Sequence, residues 1–190
     1  SSGFFYNHFT ALKVGGTDYS AAEYNFFYKA YVSNFVNQNS QYLSYMGLDP
    51  SKPYDQQTYE DGKTWADFFK ESVKSEIQEI TALYDAAEKA SFKLSSDDQK
   101  SLDETLESIK TSYKTSDYST ADAYLASLYG KGCTEKIASD LITKSYIADS
   151  YKTEKQNSFT YSEADLKSYY ESNKDDLDSF AHDMREEGSS

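Results

Sequence analysis

Apolar side chains recur along this chain at steps of three and four residues, the spacing of one face of an α-helix. Over 20–46 the rings of Tyr24, Phe27, Tyr28, Tyr31, Phe35 and Tyr42 share a broad stripe. Gly47, Asp49, Pro50 and Pro53 then interrupt the pattern, and a loop is expected to end near Gly62. A second helix is predicted over 64–90, carrying Trp65, Phe68, Phe69, Val73, Ile77, Ile80, Leu83, Tyr84 and Ala87. A third, over 96–115, shows Leu102, Leu106, Ile109 and Tyr113. A short helix starts at Ser119 and stops at Gly130, a natural C-terminal cap. The fifth begins at Thr134 with Ile137, Leu141, Ile142, Tyr146, Ile147 and Tyr151 on its apolar face. The last, over 162–173, has Leu166, Tyr169 and Tyr170. The pattern is that of an all-α domain of about six helices.

The helix starts share a local design. Tyr19-Ser20-Ala21-Ala22-Glu23, Tyr118-Ser119-Thr120-Ala121-Asp122 and Tyr161-Ser162-Glu163-Ala164-Asp165 each run aromatic, serine, two residues, acid. Leu94-Ser95-Ser96-Asp97-Asp98 repeats the scheme with leucine. A serine hydroxyl there accepts from the amide three residues on, while the acid reaches back. Tyr19 and Tyr161 are placed to staple to Tyr24 and Leu166. Unequal spacing between these starts argues against a repeat protein. One short β-hairpin is expected before the first helix, where Ala11-Leu12-Lys13-Val14 and Thr17-Asp18-Tyr19 flank Gly15-Gly16. Two strands that short need a further strand or a helix to lean on.

Composition narrows the partners. Lysine and arginine number 19 against 32 acids, a net charge of −13 that repels nucleic-acid phosphates and anionic lipid headgroups. Nineteen tyrosines and eleven phenylalanines are a heavy aromatic load, and tyrosine serves both core and contact surface. Cys133 is alone, which excludes an intrachain disulfide and a cysteine-built zinc site and leaves a buried thiol as the simplest reading. No run of apolar residues is long enough for a transmembrane helix. The Ser1-Ser2-Gly3 opening without methionine suggests a processed or expression-derived end, from which a signal or anchor was cut. Residues 1–9 are taken as an N-terminal segment, 10–178 as the helical domain, and 179–190 as a tail of native or vector origin.

The catalytic inventory is thin. His8 and His182 stand near opposite ends, outside any serine, cysteine or metal-ligand constellation. Gly15-Gly16 lacks the spacing and parallel-sheet context of a dinucleotide turn. The pairs Asp97-Asp98 and Asp175-Asp176 read as solvated faces rather than as an acid and its base. No catalytic residue, metal site or cofactor is therefore assigned. What remains is surface: Tyr42, Tyr45, Met46, Trp65, Phe68 and Phe69 crowd the end of the first helix and the start of the second. Either their rings fill a wide core face, or some line a cradle for unfolded segments, a use to which methionine and tyrosine are suited.

The stretch V-G-G-T-D-Y-S-A-A-E-Y, 14–24, resembles the opening segment of the SurA/PrsA-type extracytoplasmic chaperone-foldases. Gly15 stands where asparagine is frequent in that family. A second likeness runs from Phe159 through Tyr161-Ser162-Glu163-Ala164-Asp165-Leu166-Lys167 to Tyr169-Tyr170-Glu171 and Asn173. The helix ending I-T-K-S-Y-I-A-D-S-Y resembles the one that precedes that segment, so the likeness covers about residues 10–178. The resemblance implies a SurA N-terminal-like helical chaperone domain, secreted or anchored at the outer face of a bacterial membrane. It implies unfolded or newly secreted polypeptides as partners. A parvulin-type prolyl isomerase domain often follows in that family; none is expected in the residues after Asp178, and no isomerase residue is carried over. Two other readings stay open at this point, a homodimerisation domain and a prolyl isomerase in its own right.

Overall fold

The computed structural model describes residues 6, 7, 9–158, 167, 168, 171, 172 and 174. A two-stranded antiparallel hairpin comes first, β1 (Thr10–Val14) and β2 (Thr17–Ser20). Five helices follow: α1 (Ala21–Gln38), α2 (Trp65–Lys89), α3 (Ser96–Thr111), α4 (Ala121–Tyr129) and α5 (Glu135–Ser158). Single 3₁₀ turns lie at Tyr54–Gln56 and Ser112–Thr115. The described residues are thus mainly helical, as the pattern predicts. The helix expected over 162–173, with its cap and staple, falls largely outside them. Contacts divide the chain into units Ser1–Lys152 and Thr153–Ser190. All that follows concerns the first.

Caps set the helix starts. Ser20 Oγ accepts from the Glu23 amide at 3.3 Å, and Glu23 Oε2 accepts from the Ser20 amide at 2.7 Å, closing a capping box at α1. Thr64 and Asp67 form the equivalent box at α2. Ser95 caps α3 by accepting from the Asp98 amide. At α4 the cap is Thr120 rather than Ser119, with Thr120 Oγ1 accepting from the Ala123 amide at 3.2 Å. Asp122 is thereby free to turn away, and its Oδ1 accepts from the Glu135 amide at 2.7 Å, capping the next helix, α5.

The hairpin turn has a positive φ only at Gly15 (+57°), the first of its two central positions, as a type II′ turn requires. Val14 pairs with Thr17 and Leu12 with Tyr19; Ala11 is then the extra residue of a bulge before Thr10 meets Ser20. The helices supply the support that two short strands need. Leu12 and Val14 pack on the main core, and Tyr19 is 1% exposed within it. That core comprises Phe26, Phe27, Val73, Ile77, Ile80, Leu125, Cys133, Ala138, Leu141 and Ala148. The Tyr19 ring meets Phe27 edge-on at 6.2 Å, while Tyr24, the expected staple partner, packs on the same core and stacks with Tyr28.

One polar chain crosses this core. Lys144 Nζ donates to the Tyr19 hydroxyl at 2.7 Å, and Tyr19 lies 2.7 Å from Thr81 Oγ1. Thr81 spends its single proton on the Ile77 carbonyl at 2.6 Å, so Tyr19 is the donor to Thr81. The Lys144 ammonium also stands 4.9 Å from the Tyr19 ring centre and 5.3 Å from that of Tyr84. Cys133 is buried as expected, and desolvation pushes its thiol up to about 12. At Gly132 (φ +91°) a Cβ would come within 2.8 Å of Asn7 Oδ1 and Tyr6 Cβ, so only glycine admits the chain's start against this corner.

The first helix is shorter than the expected 20–46. Asn39 ends it: its backbone N–H and its Nδ2 both bond the Phe35 carbonyl, at 3.0 and 2.8 Å. A separate turn follows and closes at Gly47 (φ +69°), with Leu48 N–H on the Leu43 carbonyl and Gly47 N–H on that of Ser44. This is a Schellman ending, with Leu43 and Leu48 both buried. The break resets the helical phase, so Tyr42 leaves the apolar stripe, while Phe26 and Val32 take core places that the stripe did not include.

Removing the Tyr19 hydroxyl takes away the acceptor for Lys144 and the donor to Thr81. Tyr19→Phe is expected to cost about 1–2 kcal/mol in urea unfolding. The C-terminus of α2 offers a gain. Ser91 holds φ +51° in a second Schellman ending, where Phe92 N–H meets the Ala87 carbonyl and Ser91 N–H that of Glu88. Ser91→Gly relieves the left-handed strain and should add about 1 kcal/mol, read as a higher urea midpoint at unchanged m-value.

Candidate functional site

The end of α1, the 48–64 loop and the start of α2 enclose a second apolar cluster. Val32, Leu43, Leu48, Trp65 and Phe69 are buried in it, flanked by Tyr28, Tyr31, Phe35, Met46, Tyr54 and Phe68. The rings interlock mostly edge to face: Phe35 lies 5.4 Å from Phe69, Tyr54 5.2 Å from Phe69, and Tyr59 4.7 Å from Trp65. Rings so arranged make one interlocked platform.

Two local devices hold the loop over it. Gln57 Oε1 accepts from the Asp49 amide at 2.7 Å, while its Nε2 faces the carbonyls of Asp49, Lys52 and Pro53 at 3.0–3.2 Å. One side chain thus gathers the backbone of the whole proline-containing bend. Asp61 and Gly62 both have positive φ, and Lys63 N–H meets the Glu60 carbonyl, which makes a type I′ turn. Thr58 bridges Thr64 across it, and Tyr59 is brought over Trp65 and Phe68. Hydrogen bonds from the Ser51 side chain, from Lys52 and from the Ser51 amide hold the exposed Asp49 carboxyl down to about 2.

The six ring-rich positions separate into three groups. Trp65 and Phe69, at 1% and 0% exposure, belong to the interior of the cluster. Met46 and Phe68 are half-buried at its edge. Tyr42 and Tyr45 stand out on the Gly47-closed turn, 62% and 94% exposed. Gln41 and Ser44, their neighbours in sequence, line a hollow of about 660 Å³ with Asp49, Lys52 and Gln56. Met46, Trp65, Phe68 and Phe69 share the platform, while Met46, Phe68, Tyr42 and Tyr45 offer surface.

Phe68 also opens onto a groove that the periodicity does not reveal. Tyr31 of α1 and Phe68, Glu71, Glu76 and Glu79 of α2 line it, with a volume of about 490 Å³. Its carboxylates differ in partners. Lys63 Nζ holds Glu71 at 3.0 Å and Lys152 Nζ holds Glu79 at 2.6 Å. Between them Glu76 has one oxygen, Oε2, fully buried, and among the described residues no donor reaches it. Desolvation foremost, then the charges of Asp149 and Glu79, push the Glu76 carboxyl above its usual range.

Among the described residues, no three His, Cys, Asp or Glu side chains are grouped to hold a metal ion, and no helix is long and apolar enough to cross a membrane. His8 and His182 lie outside the described residues. No family model, curated protein or solved structure matches this chain.

The sign of the Glu76 perturbation makes a measurable statement. The native state holds this proton more tightly than the unfolded chain, so its contribution to stability grows as pH falls through the raised native pKa. It levels off below the ordinary value of 4.5. Glu76→Gln abolishes that dependence. In urea titrations the variant should exceed the parent in stability at pH 7, and the margin should shrink toward pH 4. A margin that stays constant with pH would show that ionisation of Glu76 does not cost the native state.

Proposed function

We propose that this chain is a non-catalytic polypeptide-binding domain of the SurA/PrsA chaperone-foldase type, acting outside the cytoplasm on unfolded or newly secreted chains. The observation that carries the reading is the pair Tyr42 and Tyr45, exposed rings on a turn braced from beneath by the interlocked cluster around Trp65 and Phe69. Exposed aromatic surface on a rigid base gains contact area at small entropic cost, because tyrosine has few rotatable bonds to freeze. Tyrosine's amphipathic ring tolerates varied neighbours, and half-buried Met46 beside it adapts its shape. A net charge of −13 keeps a complex with an aggregation-prone chain apart from its like. The likeness of 14–24 and 159–174 to the chaperone-foldases supports the same reading and carries the extracytoplasmic location.

The purified domain is expected to suppress aggregation of a chemically unfolded client at near-stoichiometric ratio. Tyr42→Ser/Tyr45→Ser should lose most of that suppression while unfolding within about 0.5 kcal/mol of the parent, since both positions are at the surface. No suppression and no binding of unfolded peptides by the parent would refute the proposal. A concentration-dependent dimer that buries these two rings, seen by sedimentation, would replace it with self-association.

A further inference from the structure

We infer that the groove between α1 and α2 receives a short extended segment whose lysine or arginine sits against Glu76, with apolar neighbours on Phe68 and Tyr31. This rests on the reading of the chain as a polypeptide binder and names the chemistry that it would select. Phe68, Ser72, Ser75 and Glu79 fall on one stripe of α2, with Glu71 and Glu76 on its two flanks. Eleven residues rise about 16 Å along a helix, which spans about five residues of extended chain.

Charge selects the occupant. The outer carboxylates, Glu71 and Glu79, are each matched by a lysine of this chain, exposed at either end of the groove. The middle one is not, although one of its oxygens is withdrawn from water. Asp149 and Glu79 both oppose its ionisation, so the site carries a deficit of positive charge. A guanidinium or ammonium entering the groove supplies it and offsets the charge of the carboxylate. The two rings then favour a cation on an organic stem over a bare ion, through contact with the stem and the attraction of the ring faces. An acidic segment would meet three carboxylates and is excluded by the same geometry.

The test uses fluorescein-labelled nine-residue peptides of one apolar-aromatic sequence, with Arg, Gln or Glu at the centre. Fluorescence anisotropy is read at 50 and 300 mM salt. At 300 mM the Arg peptide should bind at least tenfold more tightly than the Gln peptide, and the Glu peptide least. Glu76→Gln/Glu79→Gln should cut the Arg preference at least fivefold. Glu104→Gln/Glu107→Gln, which removes the same charge from α3, should leave it intact. Thermal melts confirm that both variants are folded. Equal binding of the three peptides, or a preference lost alike in both variants, overturns the groove assignment while leaving polypeptide binding standing. Absence of binding by every peptide overturns both.

Discussion

The Tyr19 hydroxyl is the contact on which the three-dimensional arrangement turns. It stands on a hairpin too short to persist alone, and it reaches α2 through Thr81 and α5 through Lys144. A phenylalanine would fill the same space but would join none of these elements. The buried hydroxyl of the tyrosine is satisfied by the threonine and the half-buried lysine together, so burial of the ring and pairing of its polar group occur together. The same ring then packs against Phe27, and the core of α1 follows from it.

The second cluster answers to a different constraint. Around Trp65 and Phe69 the chain must cover rings with a loop, and loop backbone cannot be covered cheaply unless its polar groups are paired. Gln57 solves most of that problem with one amide, bonding in both senses to the bend between Asp49 and Pro53. The cover of the cluster is therefore held by a polar residue outside it.

Much of the helical frame was legible along the chain because its signals are local. The capping box at Ser20, the cap at Ser95, the stop at Gly130 and the stripe of α2 depend on residues a few positions apart. Where two local signals compete, the reading slipped: Asn39 ends α1 by bonding Phe35, so Tyr42 left the stripe on which periodicity had placed it. The Ser119 start failed because Thr120 offers an equal hydroxyl one step on, and Asp122 serves α5 instead. Asp61-Gly62 is a turn signature in its own right, and the turn it makes lies inside the loop expected to end near Gly62. The loop role of Gln57 and the isolation of Glu76 had no signal at all. Each depends on which groups fold over it, and nothing in the residue type or its spacing carries that. The ring-rich segment was legible as a whole, but the division into buried Trp65 and Phe69 and exposed Tyr42 and Tyr45 was not.

The glycine at 132 and the Tyr19–Lys144 bond have a shared implication for how the chain reaches its fold. Both join the hairpin, or the residues just before it, to a corner made by α4 and α5; the bond spans 125 positions in sequence. During synthesis the hairpin and α1 are made before α5 and stay unclosed until it arrives. Loop closure over such a distance is slow, and the aromatic face of α1 waits in contact with water meanwhile. The hairpin and α5, far apart in sequence, are thus late to meet.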